Sequence, residues 1–265
     1  HGVENLHVGM RVAGMTRFGG YAEYCVTKAT GVVQVPEEMD VIDATALGTQ
    51  ACTAYYASHM ATNLFSGERV LVHAGAGGVG LFLIQLAKRR GCEVFATVGS
   101  DAKEQVARDF GADHVVNYRK ADYEEEMNQL LRGQRLDVVF NAIAGTTFKK
   151  DQRLLGSGGR NVIYGAAERT SMQGGKFATM QLIFRMGLLI PILRMAKSQS
   201  IIGVNMLKIA DHRAERIQEA LKACVDLMIA GDLRVHGEVF HVDALADAHE
   251  RLEKRETSGK VVIRW

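Results

Sequence analysis

The chain has 265 residues, enough for one large domain or two moderate ones with a sizeable core. It is 47% hydrophobic and 23% charged with two prolines, which excludes disordered and collagen-like classes. The 32 basic and 30 acidic residues leave a formal net charge of +2, and no basic run or aromatic-interleaved patch marks a nucleic-acid partner.

The chain opens on His1 in a Val- and Gly-rich pattern without a signal peptide, and an upstream portion is expected. Residues 11–14, 20–26 and 32–35 read as short β segments separated by turns. The most informative stretch follows. An apolar strand over 69–73 runs into Gly75-x-Gly77-x-x-Gly80, and an amphipathic helix with Leu81, Leu83, Ile84, Leu86 and Ala87 comes next. That order is the dinucleotide fingerprint. One glycine makes the tight turn, one lets the backbone approach a pyrophosphate, and one lets helix pack on strand. The helix starting near Gly78 then offers free N–H groups and a positive dipole end to phosphates. A tight turn with no ligand is the structural alternative.

Further strand-like runs are Glu93–Val98, His114–Asn117, Leu136–Asn141, 160–164 and 200–204. With 69–73 they make six, the number a doubly wound parallel sheet of this kind needs. Helical periodicity marks 101–110, ending at Gly111, and Tyr123–Leu131. Downstream, a helix over about 213–230 stops at Gly231-Asp232. A strand (239–242), a helix opened by Asp243 and a last strand (260–263) follow. These flanking segments predict a second lobe assembled from both chain ends.

The tip of the second sheet strand decides the cofactor. An NAD site places an acid there, about 20 residues after the glycines, to accept from the ribose 2′-hydroxyl. Here the strand ends in Gly99-Ser100-Asp101-Ala102-Lys103. Gly99 leaves room for a 2′-phosphate, Ser100 can donate a hydroxyl and Lys103 supplies a cation. Charged hydrogen bonds contribute about 1.5–3 kcal/mol each, so two shift preference by roughly two to three orders of magnitude. NADPH is therefore expected over NADH. Asp101 is either the displaced acid or the helix N-cap, its spacing to Glu104 being that of a capping box. Lys103 is either the phosphate ligand or a solvated helix lysine.

Residue matches along the chain then point to a family. They include Gly19-Gly20-Tyr21-Ala22-Glu23-Tyr24, Thr53-Ala54-Tyr55-Tyr56, Val72 to Gly80 with Val79, Val98-Gly99-Ser100 with Lys103, Asn117-Tyr118-Arg119 and Gly259-Lys260-Val261-Val262. The chain resembles the zinc-independent quinone oxidoreductase branch of the medium-chain dehydrogenase/reductase superfamily over nearly its full length. The long apolar segment before Ser200 is also similar to the synaptic-vesicle-membrane-protein-like subgroup. The resemblance implies an α/β fold: a doubly wound six-stranded Rossmann sheet with remnants of a β-rich catalytic domain at both ends. It divides the chain into part of a GroES-like catalytic domain (1–42), a dinucleotide-binding domain (43–206) and a return to the catalytic domain (207–265).

It also implies site roles. Thr53 lies where a residue contacts the nicotinamide end, and Tyr118 where a tyrosine packs by the adenosine half. Ser100 and Lys103 coincide with 2′-phosphate contacts. The expected cofactor set is Thr53, Gly75, Gly77, Gly78, Val79, Gly80, Ser100, Lys103, Tyr118, Asn141, Gly165 and Asn205. Asn141 and Gly165 follow later strands at the carboxyl edge, where open α/β sheets bind ligands, although Asn141 also suits a strand-end turn. Val204 and Asn205 follow the sixth strand.

Zinc is argued against locally. Met15-Thr16-Arg17-Phe18 runs directly into Gly19-Gly20, where metal-dependent relatives insert a four-cysteine loop. Thr49 stands where zinc-dependent alcohol dehydrogenases carry a cysteine, and Cys52 reads as a buried residue. His7, His59, His73 and His114 show no ligand spacing, and no Ser-His-Asp arrangement or carboxylate pair stands out. Cys25, Cys52, Cys92 and Cys224 are far apart, as reduced cysteines of a cytoplasmic protein are.

The expected activity is metal-free hydride transfer from NADPH to a quinone or α,β-unsaturated carbonyl. Alternatives are a cofactor-binding protein with little turnover and an interaction role, or an alcohol dehydrogenase. No catalytic side chain is assigned, since the family's opening lobe would precede His1; Tyr55 is a candidate to line the pocket or to pack. The segment 180–195 is apolar, carries two arginines and is too short to span a bilayer. Packing within the protein or a dimer is favoured for it over peripheral membrane contact. A homodimer is expected through the edge strand 200–204.

Overall fold

The structure is a computed structural model that describes residues 5–170 and 175–265, with the side chains of 169, 170 and 175–178 left aside. The residues 1–4 on which the chain opens lie outside the described residues. Two compact units result. One comprises His1–Tyr56, Gly77–Phe82 and Met206–Trp265; the other comprises Ala57–Ala76 and Leu83–Asn205.

The first unit holds two small sheets. Strands β1 (Val12–Gly14) and β2 (Val32–Gln34) pair antiparallel. Near the chain end, β9 (Gly237–His241) and β10 (Lys260–Arg264) pair parallel. The β segment expected over 20–26 does not form. Tyr21, Tyr24 and Val26 there are exposed, so no buried face rewards extension. The helix Ala214–Ile229 buries Ile217, Ala220, Leu221, Cys224 and Val225, the spacing of one helical face. The expected turn at its end is present: Gly231 takes φ +77°, which L side chains rarely adopt. The helix expected to open at Asp243 begins later: a tight turn over Val242–Ala244 leads into Leu245–Glu253.

The second unit is organised by a six-stranded parallel sheet. Its strands are β3 (Arg69–Val72), β4 (Glu93–Val98), β5 (His114–Asn117), β6 (Leu136–Asn141), β7 (Leu155–Ile163) and β8 (Ser200–Gly203). They lie in the order β5-β4-β3-β6-β7-β8. This is the doubly wound order 3-2-1-4-5-6, so the order in which strands are added reverses between β3 and β6. The inner strands are mostly apolar in their middles because helices cover both faces of such a sheet. Leu71, Phe95, Met127, Leu136, Val139 and Leu154 belong to one buried cluster. Each side chain of that size contributes about 1.5–3 kcal/mol when fully buried.

Helix starts show how local chemistry sets the boundaries. Asp122 caps Tyr123–Leu131 by accepting from the Glu124 N–H at 2.9 Å. The helix Asp101–Asp109 starts differently. Its N-cap is Ser100 in extended backbone, without a side-chain capping bond, so Asp101 is the first helical residue rather than the cap. Glu104 therefore does not close a capping box on Asp101; its N–H donates to the Ser100 carbonyl.

The segment 180–195 forms the end of a helix (Gly175–Met186), an extended link and a short helix started by proline (Pro191–Ala196). Leu182 is buried, but Ile183, Phe184, Leu188, Ile192 and Met195 are exposed. Packing inside the unit, one of the two arrangements favoured from sequence, is thus not what these side chains do. Among the described residues, no helix is long and apolar enough to cross a membrane.

Candidate cofactor and acceptor site

In the second unit, the carboxyl ends of the strands converge on the reversal point. After β3, His73 N–H donates to the Phe140 carbonyl at 3.0 Å and Gly75 N–H to the Thr97 carbonyl at 2.9 Å. The glycine turn is therefore laced to both flanking strands. Close approach explains Gly75: a Cβ there would lie 2.7 Å from the Ala96 Cβ. Ala74 adopts φ +52°, a strained conformation for alanine that its surroundings must hold in place.

Next to it, His73 belongs to a buried polar cluster that sequence inspection missed. His73 Nε2 lies 2.9 Å from Asp151 Oδ1 and its Nδ1 2.9 Å from Thr97 Oγ1. Tyr123 donates its hydroxyl to Asp151 Oδ1 at 3.0 Å, and Asn141 Nδ2 donates to Oδ2 at 2.5 Å. Burial and the Asp151 carboxylate hold the Tyr123 phenol well above its ordinary pKa, so it stays a donor. Asn141 Oδ1 meanwhile accepts from the Ile143 and Ala144 N–H groups, and its Nδ2 also reaches Thr147 Oγ1. Its amide is fully engaged and buried, as suits a strand-end turn residue. His73, directly after β3, is buried within this cluster.

At the tip of β4, a Cβ on Gly99 would lie 2.6 Å from the Tyr118 hydroxyl and 3.6 Å from Arg119 Nε. Gly99, Ser100, Tyr118 and Arg119 therefore share one corner, and Lys103 lies one turn into the helix that Ser100 caps. Arg119 is a second cation that the sequence reading named only as part of a match. Asp101 points elsewhere: its carboxylate pairs with Lys120 at 2.5 Å and accepts from Asn117 Nδ2 at 3.0 Å. Those two partners, Lys120 first, hold its pKa below the usual carboxylate value. Along later strands, Gly165 packs its Cα where a Cβ would lie 2.7 Å from the Ala142 carbonyl oxygen, and Asn205 is exposed after β8.

The first unit, taken by itself, holds a helix start and a cleft. Gly77 bridges to Gly259, and Gly78 opens the helix Gly78–Arg89, with Val79 and Gly80 in its first turn. A Cβ on Gly78 would overlap the Gln50 carboxamide. Thr53 is buried, and its hydroxyl donates to the Thr49 carbonyl at 2.5 Å. Thr49 and Gln50 belong to a π-helical turn, Leu47–Ala51, a wide geometry often found at functional sites. A cleft of about 460 Å³ opens beside it, with Met15, Val26, Leu207 and Ile217 as apolar wall and Thr49, Thr27 and Lys28 as polar groups. At its edge, Arg17 pairs with Asp211 at 3.3 Å.

Cys52 is buried, donates weakly to the Ile217 carbonyl at 3.9 Å, and burial pushes its thiol up to about 12. Among the described residues no three His, Cys, Asp or Glu side chains gather as a metal site. A second cleft, of about 530 Å³, lies at the amino edge of the large sheet. There Glu93 pairs with both Arg69 and His114.

A sequence profile of the zinc-binding dehydrogenase family matches residues 78–226. Quinone oxidoreductase-like protein 2 of Bos taurus is 30% identical over 263 residues, covering 98% of this chain and 71% of that protein. The chain belongs to this family, on its quinone oxidoreductase branch. Among solved structures, Escherichia coli quinone oxidoreductase complexed with NADPH superposes with a TM-score of 0.84 at 26% identity. That match covers 99% of this chain and 77% of the bacterial one. The CurK enoyl reductase gives a TM-score of 0.80 at 26% identity, with 98% and 74% covered. A highly-reducing polyketide synthase of Aureobasidium melanogenum is 30% identical over 98% of this chain, which spans only 11% of that protein. The doubly wound sheet is the frame shared with the Escherichia coli structure.

Proposed function

We propose that the protein is an NADPH-dependent oxidoreductase that reduces a quinone or an α,β-unsaturated carbonyl without a metal. The observation that carries the cofactor choice is the corner at the tip of β4. It has a glycine where an NAD site needs an acid, a hydroxyl at Ser100, and cations at Lys103 and Arg119. Asp101, the acid next to Ser100, is drawn to Lys120 and Asn117. The solved bacterial relative with NADPH supports the same choice.

In this reading Gly75, Gly77, Gly78, Val79 and Gly80 admit the pyrophosphate to the helix start, and Ser100 and Lys103 bind the 2′-phosphate. Tyr118 packs by the adenosine half, Thr53 meets the nicotinamide end, and Gly165 and Asn205 line the carboxyl edge. Bound NADPH would supply the hydride. The cleft beside Thr49 is the acceptor pocket. Its apolar wall excludes water, and the Thr49 hydroxyl offers a donor to the acceptor oxygen as negative charge develops there. Quinones and enones are electrophilic enough to need no Lewis acid. The donor set agrees, since Thr49 is a poor zinc ligand and the Cys52 thiol is held protonated.

We also propose a homodimer built on β8, the end strand of the sheet, together with the exposed apolar side chains of 180–195. All four cysteines are free, which supports a reducing compartment, the cytoplasm.

NADPH oxidation measured with a quinone and with an enone tests the activity. Turnover with either acceptor, lost on Thr49→Val with NADPH binding retained, is expected. Tight NADPH binding with no turnover of any acceptor would instead make this a binding protein.

A further inference from the structure

Gln50 stands against the first residue of the helix Gly78–Arg89. Its Oε1 is buried and has no hydrogen-bond partner. A buried, unpaired carbonyl oxygen destabilises a fold, and such atoms survive where a ligand pairs them. The position is specific. The carboxamide occupies the space that a Cβ on Gly78 would need, at the first residue of the helix Gly78–Arg89. Glycine at 78 thus makes room for the Gln50 amide as well as for backbone approach to a phosphate. The π-helical turn Leu47–Ala51 sets Gln50 there while its neighbour Thr49 lines the cleft.

We infer that Gln50 is a cofactor-contacting residue whose Oε1 accepts a hydrogen bond from the nicotinamide nucleoside of the bound dinucleotide. This rests on the NADPH reading above and deepens it. The chemistry selects the partner. Phosphate oxygens only accept, so the pyrophosphate at the helix start cannot satisfy an amide oxygen. The donors flanking it are ribose hydroxyls. The adenosine-side ribose is read at the β4 tip by Ser100 and Lys103, which leaves the hydroxyls of the nicotinamide-side ribose. Gln50 then discriminates a whole dinucleotide from its adenosine half, and its unpaired state is a cost of the unliganded protein alone.

The test is Gln50→Met, close to Gln in shape with only a weakly accepting thioether. Calorimetric titration with NADPH and with 2′,5′-ADP, which lacks the nicotinamide nucleoside, is combined with Tm of the unliganded protein. NADPH affinity is expected to fall about tenfold, as for one lost hydrogen bond in a closed site. Affinity for 2′,5′-ADP stays unchanged, and unliganded Tm holds or rises by about 2–4 °C as the unpaired oxygen is removed. Gln50→Leu repeats the measurement with a shorter side chain. Unchanged NADPH affinity, an equal loss for both ligands, or a lower unliganded Tm overturns the inference and makes Gln50 a packing residue. Wild-type protein that fails to bind NADPH overturns the cofactor reading itself.

Discussion

His73 Nε2 and Asp151 Oδ1 lie 2.9 Å apart with both side chains shut off from solvent. The pair joins the residue two before Gly75 to the helix Thr146–Leu154, 78 positions later. Asp151 also accepts from Tyr123 and Asn141, so its carboxylate oxygens meet donors on three elements. The glycine turn is positioned through this cluster.

Asp151→Asn keeps the volume but places an amide donor among donors. A loss of about 3–5 kcal/mol in urea denaturation is expected, as when one member of a buried charged network is removed. Tyr123→Phe removes a single donor and is expected to cost about 1 kcal/mol. Equal, small effects of both variants would show that the cluster does not act as a unit.

His59 gives a pH dependence. Burial first, then the nearby Arg90 and Arg89, lower its pKa from 6.5 to about 4. The folded protein therefore holds His59 neutral while the unfolded chain protonates near 6.5. Between those values the unfolded state binds more protons, so stability falls as pH drops from about 6.5 toward 4. The half-exposed ring limits the effect to on the order of 1–2 kcal/mol after solvent screening. His59→Gln is expected to flatten Tm against pH in that window; an unchanged slope would assign it to other groups.

The exposed apolar side chains at Phe184, Leu188 and Ile192 predict self-association. Sedimentation of the wild type is expected to show a dimer, and the triple serine variant a monomer with unaltered NADPH affinity. A monomeric wild type that floats with anionic vesicles would assign the face to a membrane surface instead.

Much of the large sheet was legible because buried parallel strands are continuous apolar runs, and Glu93–Val98, His114–Asn117 and Leu136–Asn141 form as read. The stretch 20–26 failed because alternation alone does not supply a partner strand. Of the two roles open to Asp101, the cap falls away because Ser100, one residue earlier, takes that place. The His73–Asp151 pair and the Gln50–Gly78 contact could not be read at all. Each joins positions far apart in sequence, and no local period reports which polar side chains a fold will bury together. A lone buried-strand histidine just before the glycines was the available signal for the first.

The 2′-phosphate corner is the centre of the account, and calorimetric titration with NADPH and NADH, repeated on Lys103→Ala, tests it most directly. NADPH is expected to bind about 100-fold more tightly than NADH, with the gap shrinking about tenfold in the variant, as two charged hydrogen bonds and the loss of one require. Equal affinities in the wild type, or a gap that Lys103→Ala leaves intact, would contradict it and return the ribose to Asp101.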